Sequence, residues 1–496
     1  MLKKNKYFSE KEFQIAFQCQ KALYLHDIYP EIAKDIDTYL VKSWKDTVKN
    51  EFNKKFSDGI QIIETSENYP DIDISSANTR TKEMIKEGGK IIKGAIFYDS
   101  SFLSTIDVLV QKNNQLDIHL STSSSKVSDT FLLETAYKCY IMEKSGYEFE
   151  RCFLSHIDNT YVKDGPINHN LLFCSVDFTK EIREKYSLIH SILKASHKVL
   201  CLDVEPNVHI GPHCTQCSFY NYCSKHIPND SFFMIPRIRS TDKWSYYEDG
   251  NLYMKDVLYQ LSNKTDLHSS KRNKFLKSMF ENKEIIDLGK IKEFCKDILK
   301  NDNVYLLDVD AHSTPIPFED GCRPYGLNML SYTVIKEKQN SIEFFQQINN
   351  SSLSLFIKSL IESLSEPGPI LCYNIAFPRS RLLDCIKRVP EYTEQIENII
   401  NRMFDIMIPF KEQWYISPKM KGSYSIIRVL EAEAFYNSPY KKRITMQLLE
   451  DIANAIFEHK DKEYYKKYLE LSRKDALDTW KVWSGLKDIC YRKEEN

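Results

Sequence analysis

Three cysteines within ten residues, Cys214, Cys217 and Cys223 in "GPHCTQCSFYNYCSKHIP", constrain this 496-residue chain more than any other stretch. Two thiolates separated by two residues reach one metal centre, and a third follows one short loop later. A tetrahedral site or a cubane needs a fourth ligand, so a remote part of the chain has to fold back onto this loop. Cys19, in "CQKALYL", is the candidate, because closing a domain often brings its terminal elements together. His213 and His226 flank the group and keep a mixed Cys/His zinc site open.

The length exceeds what one hydrophobic core usually serves, so two domains are expected. Lys and Arg number 68 against 69 Asp and Glu, a net charge of -1, so no global field draws the protein to nucleic acid or membranes. Nucleic-acid binding then requires a local patch. The densest basic cluster is "SSKRNKFLKSMFENK", residues 269 to 283, which also reads as a solvated helix face. The chain has no long apolar run, and "MLKKNKYFSEKEF" lacks the apolar centre of a signal peptide. A cytoplasmic location without membrane contact is expected, where the 13 cysteines are thiols or ligands and not disulfides.

Ser9 and Glu12 form a capping-box pattern at the start of a helix that runs through Cys19 to Leu23. "KIIKGAIFYD" and "SFLSTIDVLVQKNNQLDIHLS" alternate apolar and polar residues around the turn-like "YDSS" and "KNNQ", which predicts a three-stranded antiparallel meander. A helix over "DTFLLETAYKCYIMEKSG", a strand at "FERCFLSHI" and a helix around "FTKEIREKYSLIHSILKAS" complete an α/β domain over residues 1–226. Residues 227–300 are lysine-rich and read as a helical connector. A second α/β domain, 301–490, begins with the buried strand "NVYLLDVDAH" and ends in a helix through "SRKDALDTW".

One cysteine in the first helix and Cys-x2-Cys-x5-Cys at the far end of the domain resemble iron-sulfur nucleases of the RecB-like, PD-(D/E)XK class. The resemblance implies a restriction-endonuclease-like fold and a 4Fe-4S cluster held by Cys19, Cys214, Cys217 and Cys223, with zinc the alternative that spacing alone leaves open. It places a first catalytic carboxylate at Asp107, followed on the next strand by Glu-x-Lys. Here that place holds His119, Leu120 and Ser121, which supply neither an acid nor a fixed cation. Asp117 replaces the acid only if the strand register slips. Lys126 or Lys138 is the candidate ammonium, Lys138 standing where related proteins tend to carry glutamine.

Residues 304–480 resemble the C-terminal half of a bacterial family that fuses the RecB-like domain to an RNase-H-like, DnaQ-type exonuclease domain. "YLLDVDAHSTPIPF", "GPILCYNIAFPRSRLL" and "KDALDTW" carry the match. Such an exonuclease holds two Mg ions with four acids: Asp-x-Glu on the first strand, one acid after the "YN" strand and one on the last helix. Asp308 matches the first, Asp310 replaces the Glu, Pro378 stands at the third and Asp478 matches the fourth. Lys474 and Arg473 occupy the positions of the water-handling tyrosine or histidine. Asp475, three residues from Asp478 on one helix face, and Asp405 are the candidate replacements. "GCRPYG", from Gly321 to Gly326, reads as a shaped loop beside this site. Together these departures imply a nuclease-type protein that binds nucleic acid or a protein partner with cleavage impaired or lost. The alternatives are a Mg- or Mn-dependent exonuclease through Asp308, Asp310 and Asp478, and a non-catalytic interaction scaffold.

Overall fold

The structure is a computed structural model that describes residues 7–34, 39–63, 73–228, 230–235, 238–257, 270–338, 341–349, 352–435, 448, 449, 452 and 462–491. The chain divides into two compact units. Met1–His226 with Thr314–Gly326 form one, and Ile227–Ser313 with Leu327–Asn496 form the other. Both are mixed α/β. No helix among the described residues is long and apolar enough to cross a membrane.

The first unit opens with α1 (Glu10–Gln18) and α2 (Gln20–Ile28). The expected capping box is present: the Ser9 side chain and the Glu12 carboxylate satisfy each other's turn. The expected continuous helix through Cys19 is not. Cys19 is extended, with φ -166° and ψ 124°, so it closes α1 and opens α2. The helices α3 (Tyr39–Lys54) and α4 (Ile74–Glu87) follow, with β1 (Ile60–Gln61) between them. The meander is β2 (Ile91–Asp99), β3 (Phe102–Lys112) and β4 (Gln115–Ser121). Asn113 and Asn114 both take positive φ, the geometry that joins two strands in a tight hairpin. The chain then crosses through α5 (Asp129–Lys144) to β5 (Arg151–Ile157), parallel to β4. After α6 (His169–Leu172), β6 (Phe173–Asp177) adds the last strand, giving a six-stranded sheet in the order β1-β2-β3-β4-β5-β6. The helix expected around residues 178 to 196 is split at Lys185 into α7 (Thr179–Glu184) and α8 (Tyr186–Leu200), and the short α9 (Tyr220–Cys223) ends at a cysteine.

In the second unit the lysine-rich stretch forms α10 (Ser240–Glu248) and α11 (Ser270–Glu281), followed by β7 (Ile285–Ile286) and α12 (Leu288–Leu299). Within the basic cluster, residue 269 and the side chains at 270–273 lie outside the described residues, and Lys277 pairs along the helix with Glu281. The sheet is built from β8 (Asn303–His312), β9 (Asn328–Lys338), β10 (Ser341–Ile348), β11 (Ile370–Cys372) and β12 (Met403–Asp405), in the order β10-β9-β8-β11-β12. The strands β8, β11 and β12 are parallel, and β9 runs antiparallel to both of its neighbours, β8 and β10. A short β13 (Tyr415–Ile416) pairs with β7. The helices α13 (Leu353–Ser363), α14 (Ala376–Arg388) and α15 (Thr393–Asn401) cover the sheet's core, and the long α16 (Lys462–Tyr491) buries Ala476, Trp480, Trp483, Leu486 and Ile489 against Leu306 and Ile335.

Gly94 sits in β2 between the pairs Lys93↔Val108 and Ala95↔Ile106, opposite Asp107. Its φ is 65°, and a Cβ there would lie 2.7 Å from the Ile63 carbonyl oxygen. A left-handed non-glycine residue costs roughly 1–2 kcal/mol and an overpacked core about 1–3 more. Gly94→Ala is therefore expected to lower unfolding free energy by about 2–4 kcal/mol, read as a shifted denaturant midpoint with an unchanged slope.

Candidate functional site

Three groups of side chains carry chemistry. The first is the thiol set. Cys19, at the break between α1 and α2, lines one cavity with Cys214, Cys217 and Cys223, alongside Lys21, His209 and His213. The turn at Gly211 and Pro212 starts a single helical turn, and the Gly211 N–H donates to the Cys214 sulfur at 3.5 Å. Burial raises the thiol pKa of Cys214, Cys217 and Cys223, and the neighbouring cysteines, Cys19 among them, push each further up. Thiols held protonated are poor nucleophiles, and Cys214, Cys217 and Cys223 beside Cys19 around one cavity suit a centre that displaces thiol protons. A tetrahedral zinc site would hold its sulfurs about 3.8 Å apart, from a Zn–S bond of about 2.3 Å. Among the described residues no group of three or more His, Cys, Asp or Glu is disposed to hold a metal ion.

The second group surrounds Asp107 on β3. The Lys49 ammonium, from α3, is 3.2 Å from Asp107 Oδ1. On Oδ2 the Ser121 N–H donates at 2.9 Å and its hydroxyl at 3.1 Å. Burial alone would raise the Asp107 pKa, but Lys49, Lys138 and the Ser121 N–H outweigh it and hold the carboxyl below its usual range. Lys138 comes from α5 and lies 3.6 Å from Glu10 and 3.7 Å from Glu134. Burial would lower its pKa, and the carboxylates of Glu10, Glu134 and Asp107 raise it instead. Glu10 in turn accepts from the Thr105 N–H at 2.8 Å and hydroxyl at 2.9 Å, and Gln14 donates to Glu134.

The candidate ammonium Lys138 is thus in this centre, whereas the Glu-x-Lys place is used for packing. His119 stacks on Phe153 with ring centroids 4.9 Å apart, and burial takes its pKa down to about 4. Asp117 pairs with Arg151 at 2.7 Å and stays in register opposite Val110. Lys126 is exposed in the loop after β4. Reading the sequence missed Glu10, which passes for an ordinary first-turn acid beside the capping box, and Lys49, on a helix inside a stretch that reads only as polar.

The third group lies at β8. Asp308 and Asp310 are two residues apart, and the register shifts just after Asp310, a bulge of the kind that re-aims side chains. The Tyr468 hydroxyl, from α16, donates to Asp310 at 2.7 Å and stands 2.7 Å from the Ser331 hydroxyl, while the Ser472 hydroxyl reaches Asp310 at 3.4 Å. Tyr468, Ser472 and Asp475 follow at i, i+4 and i+7, one face of the helix. Burial raises the Asp308 pKa to about 7, helped by the charges of Asp310 and Asp475. Asp310 is raised as well, chiefly by burial, against the Tyr468 hydrogen bond. Among the described residues no Lys or Arg forms an ion pair with either.

Asp475 therefore stands nearer these two acids in effect than Asp478, which is turned to Lys481 at 2.6 Å. Pro378 is buried in α14 and supplies no acid. Asp405 accepts from the N–H groups of Asn374 and Met407, each at 3.0 Å, and so ties the end of β11 to β12. Arg473 lies over the Phe344 ring at 3.8 Å. The "GCRPYG" loop does a packing job within the first unit: Gly321 N–H donates to the Lys163 carbonyl at 2.8 Å, and Tyr325 stands edge-on to Trp44.

Residues 305–425 match a domain of unknown function, DUF2779. The match takes in Asp308, Asp310, Pro378 and Asp405 and stops short of α16, so Tyr468 and Asp475 lie outside it. No curated protein and no solved structure matches the chain.

The two acid groups have opposite pH signatures. The depressed pKa of Asp107 contributes stability that is present above its ordinary value of 3.8 and lost as pH falls through its lower folded value. Lys49→Met is accordingly expected to cost about 2–4 kcal/mol near neutral pH, with most of it recovered in Lys49→Met/Asp107→Asn. Asp308, raised from 3.8 to about 7, withdraws stability as pH rises between those values. Asp308→Asn is expected to be more stable than the parent by about 1–3 kcal/mol near pH 8, the gap closing toward pH 4. Urea unfolding of the variants at several pH values checks both signs.

Proposed function

We propose that this chain is a nuclease-type protein whose N-terminal centre no longer hydrolyses phosphodiesters, and that it acts by binding a nucleic-acid strand. The observation that carries this reading is the Lys49 ammonium 3.2 Å from Asp107 Oδ1, with Ser121 donating to Oδ2. Metal-dependent hydrolysis needs acidic oxygens free to take a divalent ion. Here a lysine on the chain's own helix fills that place, and Lys138 does the same for Glu10. A divalent ion at Asp107 would meet two ammonium groups at short range.

The meander, the parallel crossover through α5 and the buried Asp107 support a PD-(D/E)XK-like fold for the first unit. Acids on the first strand of the sheet and on the final helix support an RNase-H-like fold for the second. The four thiols around one cavity support a shared metal centre, and the resemblance to iron-sulfur nucleases selects a 4Fe-4S cluster over zinc. Such a cluster would be held by Cys19, Cys214, Cys217 and Cys223 and would fasten the α1–α2 break to residues 211–223.

One observation favours a second reading, a Mg- or Mn-dependent exonuclease through the second unit. Asp308 and Asp310 are half-buried acids with no ion-pair partner among the described residues, and Asp475 adds a third charge. Divalent ions stabilise such a set. Binding one requires Asp310 to leave Tyr468.

Protein purified without oxygen is expected to contain iron and acid-labile sulfide in equal amounts, lost in Cys217→Ser. End-labelled single- and double-stranded DNA and RNA, offered with Mg and then Mn, are expected to bind with strong salt dependence and to remain uncut. Cleavage abolished by Asp308→Asn would establish the second reading. No binding at low salt would leave a protein-interaction scaffold.

A further inference from the structure

Away from both acid centres, the first unit carries an open cavity of about 440 Å³ at the C-terminus of α3, lined by Lys54, Lys55 and residues 166–170. Glu51, one turn back on α3, takes the Lys54 ammonium at 2.6 Å and His169 Nε2 at 2.8 Å. Lys55 is left over. It is half-buried, burial pulls its pKa down, and among the described residues no carboxylate pairs with it.

A lysine at a helix C-terminus is favoured by the dipole, which accounts for the exposed Lys54. It does not account for taking a second ammonium partly out of water without a counter-charge, which costs free energy until an anion arrives. The cavity is open rather than enclosing, with polar groups from Asn168, His169 and Asn170 at its edge. That form suits a phosphate carried on a polymer better than a free ion, which is held by surrounding donors. Lys49 lies six residues before Lys55, which is the first residue past the end of α3.

We propose that this cavity is an anion subsite that takes one backbone phosphate of a nucleic-acid strand, with Lys55 supplying the charge and Lys54 and His169 the flanking donors. The assignment rests on the nucleic-acid-binding reading above. The subsite positions the strand and reads no sequence, as phosphate contacts do.

The test uses the full chain with labelled single-stranded DNA and RNA across roughly 50 to 200 mM salt, comparing Lys54→Ala/Lys55→Ala and Lys55→Arg with the parent. The double variant is expected to bind about tenfold more weakly at low salt, irrespective of sequence, and its slope of log K against log salt to fall by about one. Lys55→Arg, which keeps the charge, is expected to retain both. A double variant with unchanged affinity and slope would overturn the subsite and leave strand binding standing. A parent protein that binds no strand would overturn both readings. Inorganic phosphate alone, titrated against the His169 ring resonances, provides the last arm. Lys55-dependent binding of phosphate without binding of strands would overturn the strand as occupant.

Discussion

The contact between Lys49 and Asp107 sets the terms for the first unit. Asp107 lies in the middle of β3, and a carboxylate there loses several kcal/mol of hydration that something must offset. A metal ion is one solution, and a nuclease uses it. This chain uses tethered ammonium groups: Lys49 from α3 and Lys138 from α5, the latter shared with Glu10 from α1. The solution has an architectural consequence, because three helices must deliver charged side chains to one strand. Thr105 and Ser104 complete the set, accepting no charge but orienting Glu10 and the end of Lys138's helix turn through hydrogen bonds.

The second unit solves the same problem differently. Asp308 and Asp310 are half-buried where Asp107 is buried, and the groups around them are hydroxyls and another acid, not cations. Protons take the role of the missing charge, which is why burial and the neighbouring carboxylates push Asp308 up to about 7. The strain of this arrangement falls on α16, since it brings Tyr468 and Asp475 to the acids. Its opposite stretch buries Trp480, Trp483 and Leu486, and fully burying side chains of this size stabilises by about 1.5–3 kcal/mol each. Apolar contact holds the helix in a place that electrostatics alone would not favour.

These two solutions explain what the sequence made legible. Strand alternation and turn residues gave the meander and the position of Asp107, because both depend on neighbours a few residues away. The convergence of the four cysteines could be anticipated from spacing and from the closure of a domain, but the break at Cys19 could not. The residues around it keep a helical period, and an extended φ/ψ at one position leaves no trace in that pattern. Glu10 and Lys49 were invisible for a related reason. A glutamate in a first turn and a lysine in a helix are the commonest of surface residues, and only tertiary packing makes them internal. Asp475 was visible as a candidate because it shares a helix face with Asp478, yet the choice between the two turns on Lys481, which captures Asp478 one turn later.

The difference between a tethered ammonium and a shared proton also decides what each centre does when a cation arrives. Lys49 is attached to the same chain as Asp107, so its effective concentration there is fixed by the fold and does not fall with dilution. An incoming ion must displace it and then bear the charge of Lys138 nearby. At Asp308 and Asp310 the incoming ion displaces only protons, and the cost of that exchange falls as pH rises past about 7. At Asp107 the chain's own ammonium groups oppose an incoming metal ion, while at Asp310 an ion would compete with protons and with the hold of Tyr468. On the proposed function the two tasks separate: holding a strand needs only fixed positive charge, whereas cutting it needs an ion, and an ion at the second unit's acids would first have to displace their protons and the Tyr468 hydroxyl.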